Sequence, residues 1–216
     1  MLPAKNFDTK IKEFWPKDGP STQEIEKYIK KYSKEKIVIK CGGRILLDPT
    51  LFDNFINDIT ILKKLDELNI ETKFIMGLRV TDKEVIKIVE DVMIQLNKEI
   101  VYALEKKGCV AKSITIKENN AIYVEQKNKE LGYVGKPTKI DDQLIKNLIK
   151  ENYIPVVSPM GLDKEKQIYN INADIAAGAL ARSMKSRRLM LMTDVEGVYD
   201  KNKKFIFVIN TFYICH

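Results

Sequence analysis

A chain of 216 residues with 44% hydrophobic content can bury a sizeable core, which excludes both a disordered polypeptide and a disulfide-stapled miniprotein. Lys and Arg number 37 against 30 for Asp and Glu, and the resulting charge of +7 favours anionic partners without choosing among nucleotides, acidic metabolites, nucleic acid and acidic membranes. Cys41, Cys109 and Cys215 are odd in number and widely spaced, as expected of reduced thiols rather than a disulfide framework or a zinc site. The single histidine is the terminal His216, so a His-based triad or metal site is not expected, and any catalysis falls to Lys, Arg, Asp, Glu, Asn and backbone amides. No apolar run reaches signal-peptide or bilayer length, and the expectation is a soluble, cytoplasmic protein.

In chain order, Ser21 to Tyr32 reads as a helix, with Ser21 and Glu24 in capping-box spacing and Ile25, Tyr28, Ile29 and Tyr32 on one stripe. The β-branched run from Lys36 to Cys41 reads as a strand ending in Gly42-Gly43. Leu51, Phe52, Phe55, Ile59, Leu62 and Leu65 then repeat at helical spacing. A second long helix is expected from Thr81 or Asp82 to about Lys106, closed by Gly108. Ala111–Ile116 and Ala121–Glu125 flank the turn-rich Lys117-Glu-Asn-Asn120 and read as a hairpin. Helices are expected at Ile140–Lys150 and Ala173–Met184, a strand at Ile154–Ser158 and a buried strand at Leu189–Thr193. Alternation of strands and helices predicts an α/β fold with a mostly parallel sheet covered on both faces.

Four stretches carry candidate chemistry. In Lys40-Cys-Gly-Gly43, glycines at a strand end let backbone amides approach phosphate oxygens beside a lysine, although such a pair after a strand is more often just a turn. In Gly77-Leu-Arg-Val-Thr-Asp82, Arg79 offers a fork for a carboxylate, or is a surface arginine beside a helix cap. Tyr169-Asn-Ile-Asn-Ala-Asp174 brings two amides and a carboxylate to a helix start. Asn172 suits the cap, which leaves Asn170 and Asp174 for a ligand or for a lysine across the sheet. Thr193-Asp-Val-Glu-Gly197 follows a strand where ligands of parallel sheets bind, and is also consistent with a simple turn.

Taken together and in this order, IVIKCGG, GLRVTD, ELGYVGKP, YNINAD and MTDVEGVYD resemble the acetylglutamate kinases of the amino-acid kinase family over about Ile25 to Lys201. The resemblance implies a three-layer α/β/α sandwich and phosphorylation of the side-chain carboxylate of N-acetyl-L-glutamate by ATP, with Mg2+ carried by the nucleotide, in arginine biosynthesis. It implies Lys40 and Asp174 as catalytic, the lysine neutralising the transferring phosphoryl group and the aspartate holding the lysine. Gly42, Gly43, Arg79 and Asn170 are implied to bind substrate, and Thr193, Asp194 and Gly197 to approach the nucleotide. An extension and helix over 1–34 would precede a kinase-like domain over 35–216, its substrate-side lobe reaching about residue 186. The resemblance also implies a homo-oligomer, a dimer or a hexamer joined through the N-terminal helix.

Two departures shape the expectation. Leu65-Asp-Glu-Leu-Asn-Ile70 runs directly into Glu71-Thr-Lys-Phe74, where the family carries a further strand and an HGGG-type loop; the chain also stops soon after TDVEGVYD, short of the rest of the nucleotide subdomain and its second catalytic lysine. The fold is therefore expected to be incomplete there. Alternatives are a catalytically impaired chain that binds ligand or associates with full-length subunits, and a sibling amino-acid kinase. Lysines interspersed with acids and no aromatic-basic ladder argue against a nucleic-acid partner.

Overall fold

The computed structural model describes residues 36–41, 74–75, 78–79, 81–106, 109–192, 197–200, 202 and 204–206. The chain parts into two units, Met1–Lys36 and Ile37–His216, and apart from Lys36 every described residue lies in the second. The expected helices at Ser21–Tyr32 and between Pro49 and Leu68, the junction from Leu65 to Lys73 and the tail after Ile206 lie outside the described residues.

Strand β1 (Ile37–Cys41) runs parallel to β10 (Arg188–Met192), with Lys40 opposite Leu191. Two short strands, β2 (Phe74–Ile75) and β3 (Leu78–Arg79), pair antiparallel and place Arg79 opposite Phe74. Helix α1 (Lys83–Lys106) follows, capped by Asp82, whose Oδ1 accepts from the amides of Glu84 at 2.9 Å and Val85 at 2.8 Å. Its buried stripe of Val85, Ile86, Val89 and Val92 packs with Met160.

Strand β4 (Ala111–Ile114) runs parallel to β7 (Ile154–Val157). Strand β5 (Ile122–Gln126) is the centre of a second sheet, antiparallel to β6 (Gly135–Ile140) and parallel to β8 (Met160–Leu162), which in turn pairs antiparallel with β9 (Ile168–Asn170). The expected hairpin between Ala111–Ile116 and Ala121–Glu125 is therefore corrected: its two arms belong to different sheets. The amide of Glu118 goes to the Thr115 hydroxyl at 3.2 Å instead of extending a backbone ladder, and Asn119 turns the chain away at φ 62.

Helix α2 (Asp142–Lys150) starts two residues later than expected, because Ile140 ends β6 opposite Ile122 and Asp141 caps the helix through the Leu144 amide at 3.1 Å. Helix α3 (Ala173–Ser183) is capped by Asn172 and ends at Met184. Ile114, Ala121, Ile145 and Met184 join β4, α2 and α3 in one buried cluster, while Ile122, Val124, Tyr169, Ile171 and Ala176 join the second sheet to α3. On β9 successive residues part company, Ile168 turning to the α1 cluster and Tyr169 to the α3 cluster, so helices cover the strands from both sides. This is an α/β fold in which strands separated by helices pair in parallel, as in β1–β10 and β4–β7.

The strand expected to be buried at Leu189–Thr193 is corrected as well. In β10, Leu189, Met190 and Leu191 are 38%, 48% and 47% exposed, since among the described residues this strand has one neighbour, β1, and packs against α3. Last come β11 (Val198–Tyr199) and β12 (Phe205–Ile206), an antiparallel hairpin turned by Asp200, which accepts from the amides of Asn202 and Lys204, both at 2.8 Å.

Candidate functional site

Lys40 stands near the carboxyl end of β1, and Asp174 in the first turn of α3, an element packed against that strand. Their side chains meet at 2.8 Å between Nζ and Oδ1. The lysine side chain keeps 13% of its surface and the aspartate side chain 53%, so the lysine is largely enclosed while its partner still faces outward. Asn172 fixes the carboxylate's end of the pair: its Oδ1 accepts from the amides of Asp174 at 3.0 Å and Ile175 at 3.1 Å, satisfying two donors that a helix start leaves open. The arrangement presents a lysine charge and a helix N-terminus at one end of a parallel strand pair, a setting suited to an anionic, phosphate-bearing ligand.

Asn170 ends β9 opposite Met160, three residues ahead of α3, and its amide donates to the Tyr133 carbonyl at 2.9 Å. Arg79 lies on β3, two residues before Thr81. Thr81, fully buried, donates its amide to the Leu131 carbonyl at 3.0 Å and accepts from the Tyr133 amide at 2.6 Å. The segments holding Arg79 and Asn170 are thus fastened to one strip of backbone, Leu131–Tyr133. That strip lies in ELGYVGKP, a motif of the resemblance to which the sequence reading gave no site role; the signal for one was Gly132, set between two bulky residues.

Gly197 opens β11 at φ 154, where a Cβ would stand 2.6 Å from Cε2 of Phe205, so close packing in the β11–β12 hairpin accounts for this glycine. Gly42, Gly43, Thr193 and Asp194 lie outside the described residues. Among the described residues no group of three or more His, Cys, Asp and Glu side chains could hold a metal ion, and no helix is long and apolar enough to cross a membrane. Tyr169, buried beneath the Asn170 segment, has its phenol pushed above the ordinary range by burial first and by the negative charge of Asp163 second.

Comparison with known proteins agrees with this arrangement of segments. The profile described as Amino acid kinase family matches residues 61–211. An acetylglutamate kinase of Pelagibacter ubique (strain HTCC1062) is 52% identical over 214 residues, covering 91% of this chain and 74% of the relative. Another, of Petrotoga mobilis (strain DSM 10674 / SJ95), is 40% identical over 198 residues, covering 82% of this chain and 66% of that protein. The crystal structure of smu.665 from Streptococcus mutans UA159 superposes with a TM-score of 0.65 at 26% identity, over 84% of this chain and 70% of that one. The chain spans 66% to 74% of the length of these proteins. With half its sequence identical to a relative of which it spans about three quarters, and with its fold shared, the chain belongs to the amino-acid kinase family, within the acetylglutamate kinases.

Proposed function

We propose that the chain transfers the terminal phosphoryl group of ATP to the side-chain carboxylate of N-acetyl-L-glutamate, a step of arginine biosynthesis. The observation that carries this reading is the Lys40–Asp174 pair at 2.8 Å, a largely enclosed lysine side chain held at the end of a parallel strand. A carboxylate oxygen of the acceptor bonds to the terminal phosphorus, the bond from that phosphorus to the bridging oxygen breaks, and ADP leaves. ATP, with the Mg2+ it carries, supplies the activated phosphoryl group. Lys40 offsets charge as it spreads over the transferring oxygens, and Asp174 fixes where that ammonium stands. Asn170 holds the acceptor beside the reacting end, and Arg79 clamps its α-carboxylate. Gly42 and Gly43 donate amides to the phosphoryl group, and the Thr193-Asp194 segment with Gly197 meets the nucleotide. The protein works in the cytoplasm as a homo-oligomer, a dimer or a hexamer linked through its N-terminal helix.

A second reading has its own support. In the Pelagibacter comparison 91% of 216 residues, about 197, fill 214 aligned positions, so about 17 positions of the relative have no counterpart here. This supports the absence of internal residues, and the loss of the HGGG-type loop expected between Leu65 and Phe74 would account for them. A chain without those amides would bind N-acetyl-L-glutamate while turning it over slowly, since one set of preorganised donors is worth about 10²-fold in rate.

The test is to incubate the chain with Mg-ATP, N-acetyl-L-glutamate and hydroxylamine and to measure hydroxamate. The expected outcome is turnover that falls by about 10²-fold or more in Lys40→Ala. A folded chain without turnover, but with calorimetric binding of N-acetyl-L-glutamate, would favour the second reading. A chain that neither turns over nor binds would overturn both.

A further inference from the structure

We propose that Gly132 is a positioning residue for the acceptor site, because only a residue without a side chain lets one strip of backbone tie the Arg79 segment to Asn170. This rests on the proposed roles of Arg79 and Asn170. Tyr133 makes the tie with both of its backbone groups: its amide donates to the Thr81 carbonyl at 2.6 Å, and its carbonyl accepts from the Asn170 amide at 2.9 Å. Leu131 adds a second bond to Thr81, whose amide it accepts at 3.0 Å, and Val134 bridges to Asn170. Between these residues Gly132 lies at φ 67, and a Cβ there would stand 2.3 Å from the Thr81 carbonyl oxygen and 3.0 Å from its carbon. The obstacle is backbone, already engaged in the tie, so it cannot swing aside as a flexible side chain does. A side chain at Gly132 must push Thr81 away from Tyr133, and with it the strand two residues upstream that carries Arg79. Misplacement of a substrate-positioning group by about 1 Å costs up to about 10²-fold.

Two substitutions separate collision from backbone strain. Asparagine accepts positive φ, as Asn119 and Asn152 do here at 62 and 66, so Gly132→Asn relieves strain while leaving the Cβ collision in place. Both Gly132→Ala and Gly132→Asn are expected to weaken N-acetyl-L-glutamate binding by about tenfold or more in calorimetry, with the KM for Mg-ATP changed by less than about twofold. In hydrogen exchange the amides of Thr81, Tyr133 and Asn170 are expected to exchange faster in both variants, with Ala121 and Ile145 amides unmoved.

Gln126→Ala serves if the glycine variants fail to fold, since exposed Gln126 holds the Gly132 carbonyl from outside at 2.9 Å and its loss leaves the core intact. It is expected to weaken acceptor binding by about threefold. A folded Gly132→Ala with unchanged acceptor affinity and unchanged exchange at these amides would overturn the inference, as would an unchanged Gln126→Ala where the glycine variants do not fold. Gly132→Asn behaving as the unaltered chain would also overturn it, since the collision would then be harmless. A wild-type chain that binds no N-acetyl-L-glutamate would overturn the substrate reading instead, and the exchange rates would then decide the tie itself.

Discussion

A lysine side chain that keeps 13% of its surface has given up most of its contact with water, and in this chain its ammonium has the Asp174 carboxylate at 2.8 Å as partner. Because the aspartate side chain keeps 53% of its own surface, the pair is screened on one side, so it orients Lys40 more than it stabilises the fold. Tyr169 shows the opposite case, a group whose neutral form the fold protects. Its pKa is raised above 10.0, by burial chiefly and by the Asp163 charge. Well below pH 10 the phenol is protonated in folded and unfolded chains alike, and its contribution to stability does not vary with pH. Above pH 10 the unfolded chain releases this proton first, so stability falls as pH rises, until the folded phenol ionises too. The expected slope from this group is at most about 1.4 kcal/mol per pH unit, and Tyr169→Phe should flatten it. Urea unfolding at several pH values between 9 and 11 checks this; an equally steep loss in the variant would remove Tyr169 as its source.

At the scale of elements, caps and partners decide what periodicity leaves open. The start of α3 was legible because Asn172 precedes an alanine-rich run, and the same cap holds Asp174 in place. Asn172→Ala is expected to cost about 1 kcal/mol, the usual loss for an N-cap, and Asn172→Asp to restore most of it while keeping the acceptor. Chemical denaturation of the three proteins measures the difference, and equal midpoints for all three would show that the cap contributes nothing. Strand β6 was illegible for a physical reason: GKPTKI has one isoleucine and a proline, and a strand of that kind persists because β6 lies at the sheet edge, where Pro137 owes no ladder bond on its outer side. Likewise β8 and β9 are three residues each, too short to show alternation, and owe their pairing to Met160 and Tyr169 packing into separate clusters. The false hairpin at Ala111–Glu125 arose because two strand-like runs beside a turn carry no record of which neighbour each will take. The parallel partner β7 is supplied from 43 residues further on, beyond what a local pattern can encode.

Across the whole molecule, the site depends on clusters it does not touch. Lys40 and Asp174 come from elements 134 positions apart, and α3 is held against the rest of the fold by Met184 and Ala176, one in each of two buried clusters. The candidate site was therefore legible as separate motifs, YNINAD and IVIKCGG, while its connection through Leu131–Tyr133 depended on backbone bonds of which Gly132 gave the position but not the partners. Ile114 is the residue through which stability and site geometry can be separated. It is 1% exposed and joins β4 to Ile145 of α2 and Met184 at the end of α3, well away in sequence from Thr81 and Asn170. Ile114→Ala leaves a cavity among groups that β4 and two helices hold in place, and should lower the unfolding free energy by about 2–5 kcal/mol. Since the variant leaves the Tyr133 tie and the Lys40–Asp174 pair intact, acceptor affinity at temperatures where it stays folded should match that of the unaltered chain. Urea midpoint and calorimetric Kd measured on one preparation give both quantities. A midpoint that falls with constant Kd places Ile114 in the scaffold alone; a Kd that weakens in proportion would mean that the cluster beneath α3 sets the site's geometry, and scaffold and site would not be separable.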